Sequence, residues 1–288
     1  MVLILTTILS RPERAKELLF RQYTTNMNVY FSRVRNLNEC VIDKAFLHRF
    51  HPNLMKFLRW LTAAIVERRN QGLGTRGLVT ENNFMFQNSK FSNPTFVNQQ
   101  DRGRQTLKSD LRDIGNVIRL MMLTSGLQEA DFGADTKSFM AELDRPNPSG
   151  RETFIVHHCA LWDSTISKWV MDQFIAHVQR YANVRNSFQS HCAHFYPDFN
   201  WELYIPLSHS NILRKIYNGH HISYVHDFAE LPLYFRNAYA HYMDHDENLN
   251  PSDVDDLFYA AFPSLTNMFC RILETMGILN LFFYAGTN

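Results

Sequence analysis

The run Arg236-Asn237-Ala238-Tyr239-Ala240-His241 places a guanidinium, a carboxamide and an imidazole within six residues. An Arg binds a phosphodiester through paired N–H donors, an Asn amide orients it, and a His, the side chain that titrates nearest neutrality, protonates a leaving oxygen. RNA carries its own nucleophile in the 2′-hydroxyl. These groups therefore suffice for metal-independent RNA cleavage, given a group that assists at that hydroxyl. On a helix, Asn237 and His241 share a face, while Arg236 lies about 100° round from Asn237. The pattern R-N-x-x-x-H alone is not specific, because a solvated helix face with one packed His has the same composition. Its surroundings decide.

Upstream, the run Ser223-Tyr224-Val225-His226-Asp227-Phe228-Ala229-Glu230-Leu231 brings a tyrosine and an acid ahead of the Arg-Asn pair. Together with Trp201-Glu202, Ile205-Pro206, Phe262-Pro263 and Leu265, this stretch resembles the kinase-extension nuclease (KEN) family. That family includes ribonuclease L and the transmembrane sensor of the unfolded-protein response. The resemblance implies an all-helical nuclease domain and the following roles. Tyr224 assists at the 2′-hydroxyl, Arg236 and Asn237 bind the phosphate, and His241 is the general acid. Products are a 2′,3′-cyclic phosphate and a 5′-hydroxyl, in RNA processing or decay under stress. It further implies RNA as the partner, no cofactor, and a homodimer or a hetero-assembly with a related chain, since members cut RNA as back-to-back dimers. Two points stay open. Tyr217-Asn218-Gly219 also resembles the family's tyrosine segment, which would make the residues after it an insertion. Pro232 would cost about 3 kcal/mol in a helix interior and almost nothing in a first turn, so the helix either starts near Leu231 or is kinked.

In that family the nuclease follows a kinase fold, and residues 1–152 carry degraded kinase features. Thr75-Arg76-Gly77-Leu78-Val79-Thr80-Glu81-Asn82 stands where a catalytic loop H-R-D-x-x-x-x-N is expected. Arg76 and Asn82 match, but Thr75 replaces the His and Gly77 the Asp, so no carboxylate accepts a substrate hydroxyl proton. No D-F-G follows at the usual distance, and Asp101-Arg102-Gly103 occupies the wrong place. Ser109-Asp110-Leu111-Arg112-Asp113-Ile114-Gly115 resembles the D-x-W-S-x-G start of the kinase lobe's central helix. Residues 1–50 contain no glycine with which to build a phosphate-covering loop, and Lys16 and Lys44 lie in no V-A-I-K context. The expectation is a mainly α chain: a truncated, degenerate pseudokinase C-lobe over 1–152, binding no ATP, then a KEN domain over 153–288. The run His157 to Trp162 resembles the family's H-P-x-x-W junction, with His158 in place of the Pro.

Helical spacing supplies the positioning elements. Leu54, Leu58, Leu61 and Ile65 predict one helix, with Arg68 and Arg69 suiting its carboxyl end and Gly72 its stop. Leu111, Ile114, Val117, Ile118 and Met121 predict a second, ended by Ser125-Gly126; Gly115 inside it costs about 1 kcal/mol against Ala, which suggests a close packing contact. Asp163 can cap a third, with Ile166, Trp169, Val170 and Phe174 facing inward. Gln87–Arg104 and Asp144–Gly150 read as loops.

Composition sets the limits. At 45% hydrophobic and 14% aromatic, the 288 residues are rich enough for packed cores, which excludes a disordered chain. A net charge of +1 provides no global field for a polyanion, so RNA affinity needs a local patch from Arg214, Lys215 and Arg236. Cys40, Cys159, Cys192 and Cys270 form no C-x-x-C pair and read as reduced thiols, implying a cytoplasmic or nuclear chain. His241 and His245 lie four apart, but no H-E-x-x-H exists and no metal is expected. Met1–Ser10 is apolar without a leading basic region or cleavage site, and no later apolar run approaches the roughly eighteen residues of a membrane span. Neither a signal peptide nor a transmembrane helix is expected. The competing function class is a non-catalytic module that dimerises or binds RNA without cutting it.

Overall fold

The computed structural model describes residues 3–4, 20–21, 49–50, 52–79, 84–86, 94–96, 103, 105–124, 127–195, 211–219, 224, 227–245, 249–262 and 264–284. In chain order these form β1 (Leu3–Ile4), β2 (Phe20–Arg21), β3 (Arg49–Phe50), α1 (Pro52–Asn70), β4 (Phe84–Phe86), β5 (Pro94–Phe96), α2 (Leu107–Thr124) and α3 (Ala134–Leu143). There follow α4 (Glu152–Val156), α5 (Ser164–Arg180), α6 (Ala182–Phe195), α7 (Asn211–Gly219), α8 (Glu230–His245), α9 (Pro251–Ala261), α10 (Leu265–Thr275) and α11 (Leu281–Tyr284). The fold is mainly helical. The described residues fall into two compact units, one ending at Leu161 and one running on from Trp162. Among the described residues no helix is long and apolar enough to cross a membrane.

In the first unit, α1 opens on Pro52, whose missing N–H would have no helical acceptor there anyway. It closes in a Schellman turn. Gly72 adopts φ 73°, its N–H bonds Arg69 O at 2.9 Å, and the Leu73 N–H bonds Arg68 O at 2.9 Å. Leu58, Leu61 and Ile65 from α1 bury against Ile114 and Ile118 from α2 and Phe139 from α3. Gly115 differs from expectation. A Cβ built there would meet Arg119 Nη1 at 3.2 Å and Leu143 Cβ at 3.8 Å, so the tight neighbour is the guanidinium end of Arg119, which pairs with Asp144. No close helix approach demands glycine at this position. The segment read as a loop over Gln87–Arg104 contains β5, which pairs antiparallel with β4, Phe84 opposite Phe96; β4 also pairs with β1. Phe-Met-Phe and Pro-Thr-Phe suit a pleated ribbon, and Pro94 takes the first strand position, where proline is tolerated.

In the second unit, α5 is the central helix, packed on α6, α8, α9 and α11. Asp163 caps it, its Oδ1 accepting from the Ile166 N–H at 3.0 Å. Val170 and Phe174 are fully buried, and Phe174 meets Phe188 at 4.6 Å and Phe269 at 5.1 Å between ring centres. Trp169 does not face inward as expected. It is 40% exposed, and its indole N–H donates to Phe282 O at 2.7 Å, while Met171 and Ile175 complete the buried stripe. An indole reaches a partner more easily at the edge of a core than in its centre. Helix α9 begins with a capping box: Asn250 Oδ1 accepts from the Ser252 and Asp253 N–H groups, and Asp253 Oδ2 accepts from the Asn250 N–H at 2.9 Å. Cys159, Cys192 and Cys270 are buried free thiols, and Cys40 lies outside the described residues.

Candidate functional site

Helix α8 carries three of the four sequence-predicted site residues. Leu231, Tyr234, Phe235, Ala238 and Tyr239 recur at the spacing of one inward stripe and are buried, with Phe235 stacked on Phe258 at 3.7 Å. Pro232 is the third residue of the helix, within the first turn whose N–H groups have no helical acceptor. The helix starts one residue before Leu231, and the kinked alternative is not needed. Its entry is fixed from α6. Arg185 binds Asp227 Oδ2 through Nε at 2.9 Å and Nη2 at 2.7 Å, and Glu230 Oε1 through Nη2 at 2.7 Å. Gln189 Oε1 accepts from the Phe228 N–H at 2.7 Å.

Tyr224 and Asn237 meet directly. The Asn237 amide Nδ2 donates to the Tyr224 hydroxyl at 2.9 Å, and the two residues are only 4% and 8% exposed, Asn237 being the more buried. Tyr217, the alternative tyrosine, stacks on Tyr224 with centres 5.4 Å apart and planes 15° apart, so both alignments lead to one aromatic patch. Tyr234 closes that patch edge-on to both rings and donates its hydroxyl to Leu213 O at 2.8 Å, which ties α7 to α8. Burial drives the Tyr224 phenol above its ordinary pKa, with Glu230 and Tyr217 adding to the effect and the Asn237 hydrogen bond opposing it. At neutral pH it is an uncharged phenol. It cannot act as a ready proton acceptor, but it can hold the Asn237 amide in place.

Arg236 and His241 are on the accessible side. The Arg236 Nη1 reaches Asn237 Oδ1 at 3.5 Å, and its Nε lies 3.5 Å from Asp172 Oδ1 on α5. The His241 Nδ1 pairs with Asp244 Oδ2 at 2.9 Å, one turn beyond Asn237, which orients the ring. Arg214 and Lys215 are exposed on α7. Beside Arg236, an open groove of about 330 Å³ runs between α5 and α8, lined by Lys168, Asp172, Gln179, Arg236 and the apolar surface of Ile175, Ala176 and Ala240. The α5 side of this groove was missed in the sequence. The Lys168–Asp172 pair, at i,i+4 spacing and 3.0 Å, was the available signal.

No protein-family model matches this chain, and no curated protein matches it.

Of the segment expected to be a degenerate kinase loop, residues 75–79 are described. Thr75 is buried and donates to Asp110 Oδ2 at 3.1 Å; the Arg76 N–H donates to Gly103 O at 3.3 Å; Gly77 adopts φ 70°. Asn82 lies outside the described residues, as do Trp201, Glu202, Ile205 and Pro206. Asp110, fully buried at the start of α2, also binds Arg69 Nη1 at 3.0 Å and Gln105 Nε2 at 2.7 Å. Burial raises its pKa and these hydrogen bonds oppose the rise. His158 is buried, its Nδ1 accepting from the Ala160 N–H at 3.1 Å between the rings of Phe139 and Phe154. Among the described residues no three His, Cys, Asp or Glu side chains gather at metal-ligating spacing.

Proposed function

We propose that this chain is a metal-independent endoribonuclease of the KEN type, with Arg236 and His241 acting on the scissile phosphate and the buried Tyr224–Asn237 pair holding Arg236 from behind. One observation carries the reading: the 2.9 Å hydrogen bond from Asn237 to Tyr224 joins residues 13 apart in sequence, beside Arg236 and one turn from His241. The substrate's 2′-oxygen attacks phosphorus and its proton passes to water. The P–O5′ bond breaks as His241 delivers a proton to O5′, leaving a 2′,3′-cyclic phosphate and a 5′-hydroxyl. Arg236 N–H donors stabilise the charge on the non-bridging oxygens. Tyr224, as a buried neutral phenol, is a positioning residue.

The unit before the nuclease fits a degenerate kinase-like lobe. The two segments that resemble kinase signatures, Thr75–Asn82 and Ser109–Gly115, are joined by the Thr75–Asp110 bond, and Gly77 offers no catalytic carboxylate. The reading includes a homodimer working on RNA in the cytoplasm or nucleus, in keeping with the buried free thiols. A second reading, a module that binds RNA without cutting it, draws on the burial of Tyr224 and Asn237, which leaves Arg236 and His241 as the accessible groups. Purified protein with a fluorescent stem-loop RNA in EDTA separates the two. Cleavage to cyclic-phosphate ends supports the nuclease, and binding without cleavage replaces it by the module.

A further inference from the structure

In the groove between α5 and α8, Arg236 meets two charged groups that the cleavage chemistry leaves unused, Lys168 and Asp172. Asp172 sits between two cations, its Oδ2 3.0 Å from Lys168 Nζ and its Oδ1 3.5 Å from Arg236 Nε. One carboxylate therefore occupies the place where an anion can be held by two cations at once. The Lys168 side chain is about half exposed, as is that of Arg236, and Gln179 adds an exposed amide further along the same wall. Ile175, Ala176 and Ala240 give the groove an apolar floor with no aromatic side chain on it, along which an extended chain can lie. Because Arg236 and Ala240 are four apart on α8, and Asn237 and His241 are four apart on the next face, the groove joins the candidate site at Arg236 and leads away from it.

Resting on the nuclease reading, we propose that this groove is a second phosphate subsite for RNA, in which Lys168, with the Arg236 Nε edge that faces Asp172, holds a backbone phosphate neighbouring the scissile one, and Asp172 is the anion that this phosphate displaces. Two fixed cations around one carboxylate leave a local net positive charge, in a chain whose overall charge of +1 attracts no polyanion. The chemistry recognised is a phosphodiester, and Lys168 acts as a point charge on it. Asp172 contributes selectivity by repulsion, because only an anion able to take both cations replaces it.

The direction of two substitutions distinguishes a subsite from a surface ion pair. Lys168→Ala should weaken binding of a stem-loop RNA carrying a 2′-deoxy residue at the cleavage site by roughly 3- to 10-fold. It should also lower the slope of log affinity against log salt by about 0.7 to 0.9, the loss of one phosphate contact. Asp172→Asn should tighten binding several-fold, because it frees both cations. Inorganic phosphate should compete with RNA more weakly in Lys168→Ala than in the wild type. Melting temperatures of both variants serve as the control for folding. Unchanged affinity and salt slope in Lys168→Ala, or weaker binding in Asp172→Asn at normal stability, overturns the subsite even if the wild type cleaves RNA. Lack of RNA binding by the wild type overturns it as well. Wild-type protein that binds but does not cleave, with both variant effects present, leaves the subsite standing and removes the nuclease reading instead.

Discussion

Tyr224→Phe removes one oxygen and tests whether Asn237 is held as described. The phenylalanine ring keeps the stack on Tyr217 and the edge contact with Tyr234, both at 5.4 Å between centres, so packing changes little. What changes is the acceptor for Asn237 Nδ2, an amide on a residue only 4% exposed and so out of reach of bulk water. A buried donor left without its partner costs about 1–3 kcal/mol, and relief from burying the phenol oxygen itself trims this toward the lower half. A loss of about 1–2 kcal/mol corresponds to a 5- to 30-fold change in an opening equilibrium. Native-state hydrogen exchange of the α8 amides reads this directly, without assuming that the two units of the chain unfold together. Exchange in α8 should speed up by that factor, and the double variant with Asn237→Ala should cost less than the sum of the single changes, as for any coupled pair. Unchanged α8 exchange in Tyr224→Phe, or strictly additive costs, would refute the Tyr224–Asn237 bond as the support of the site.

Gly115→Ala should raise the melting temperature of the first unit by roughly 2–4 °C, since alanine gains about 1 kcal/mol in a helix interior and the partly exposed Arg119 guanidinium, paired with Asp144 at the surface, has only to shift slightly; differential scanning calorimetry measures it. His157, which burial pushes from 6.5 down to about 4, favours the neutral form in the folded state. Its contribution is therefore complete above about pH 6.5 and is lost as pH falls toward 4, up to about 3 kcal/mol. Melting curves at pH 7, 5.5 and 4.5 should show a smaller acid loss in His157→Gln than in the wild type. Arg185→Ala should free the entry to α8, at a cost of about 1 kcal/mol because the guanidinium is 40% exposed and screened, seen as faster exchange confined to the first turn of α8.

The helices at Leu54–Arg69, Leu111–Met121 and after Asp163 were legible because each combines a periodic apolar stripe with a specific stop or cap, Gly72 and Asp163 being the clearest. Likewise, Asn237 and His241 at i,i+4 were legible as one face of a helix. Three features were not. Trp169 fits the apolar spacing of α5, yet its N–H is satisfied by a carbonyl 113 residues away, a partner that no local pattern announces. The strand at Pro94–Phe96 is too short for alternation to register, and its neighbours Asn, Gln and Ser read as loop. The Arg185 clamp joins residues 42 and 45 apart, so the rigidity of the α8 entry depends on tertiary packing alone. Pro232 shows the intermediate case, where the residue limits the helix to two conformations and the position of the first turn selects one.

The proposed role of His241 as the acid for the leaving oxygen is tested most directly with two RNA substrates that differ only in the leaving atom, oxygen in one and sulfur in the other. A 5′-thiolate leaves without protonation, whereas the 5′-oxygen needs a donor. The account predicts that in EDTA His241→Ala cleaves the oxygen substrate about 10² to 10⁴ times more slowly than the wild type, and the 5′-thio substrate at nearly the wild-type rate. Equal losses on both substrates, or no loss on either, would contradict it.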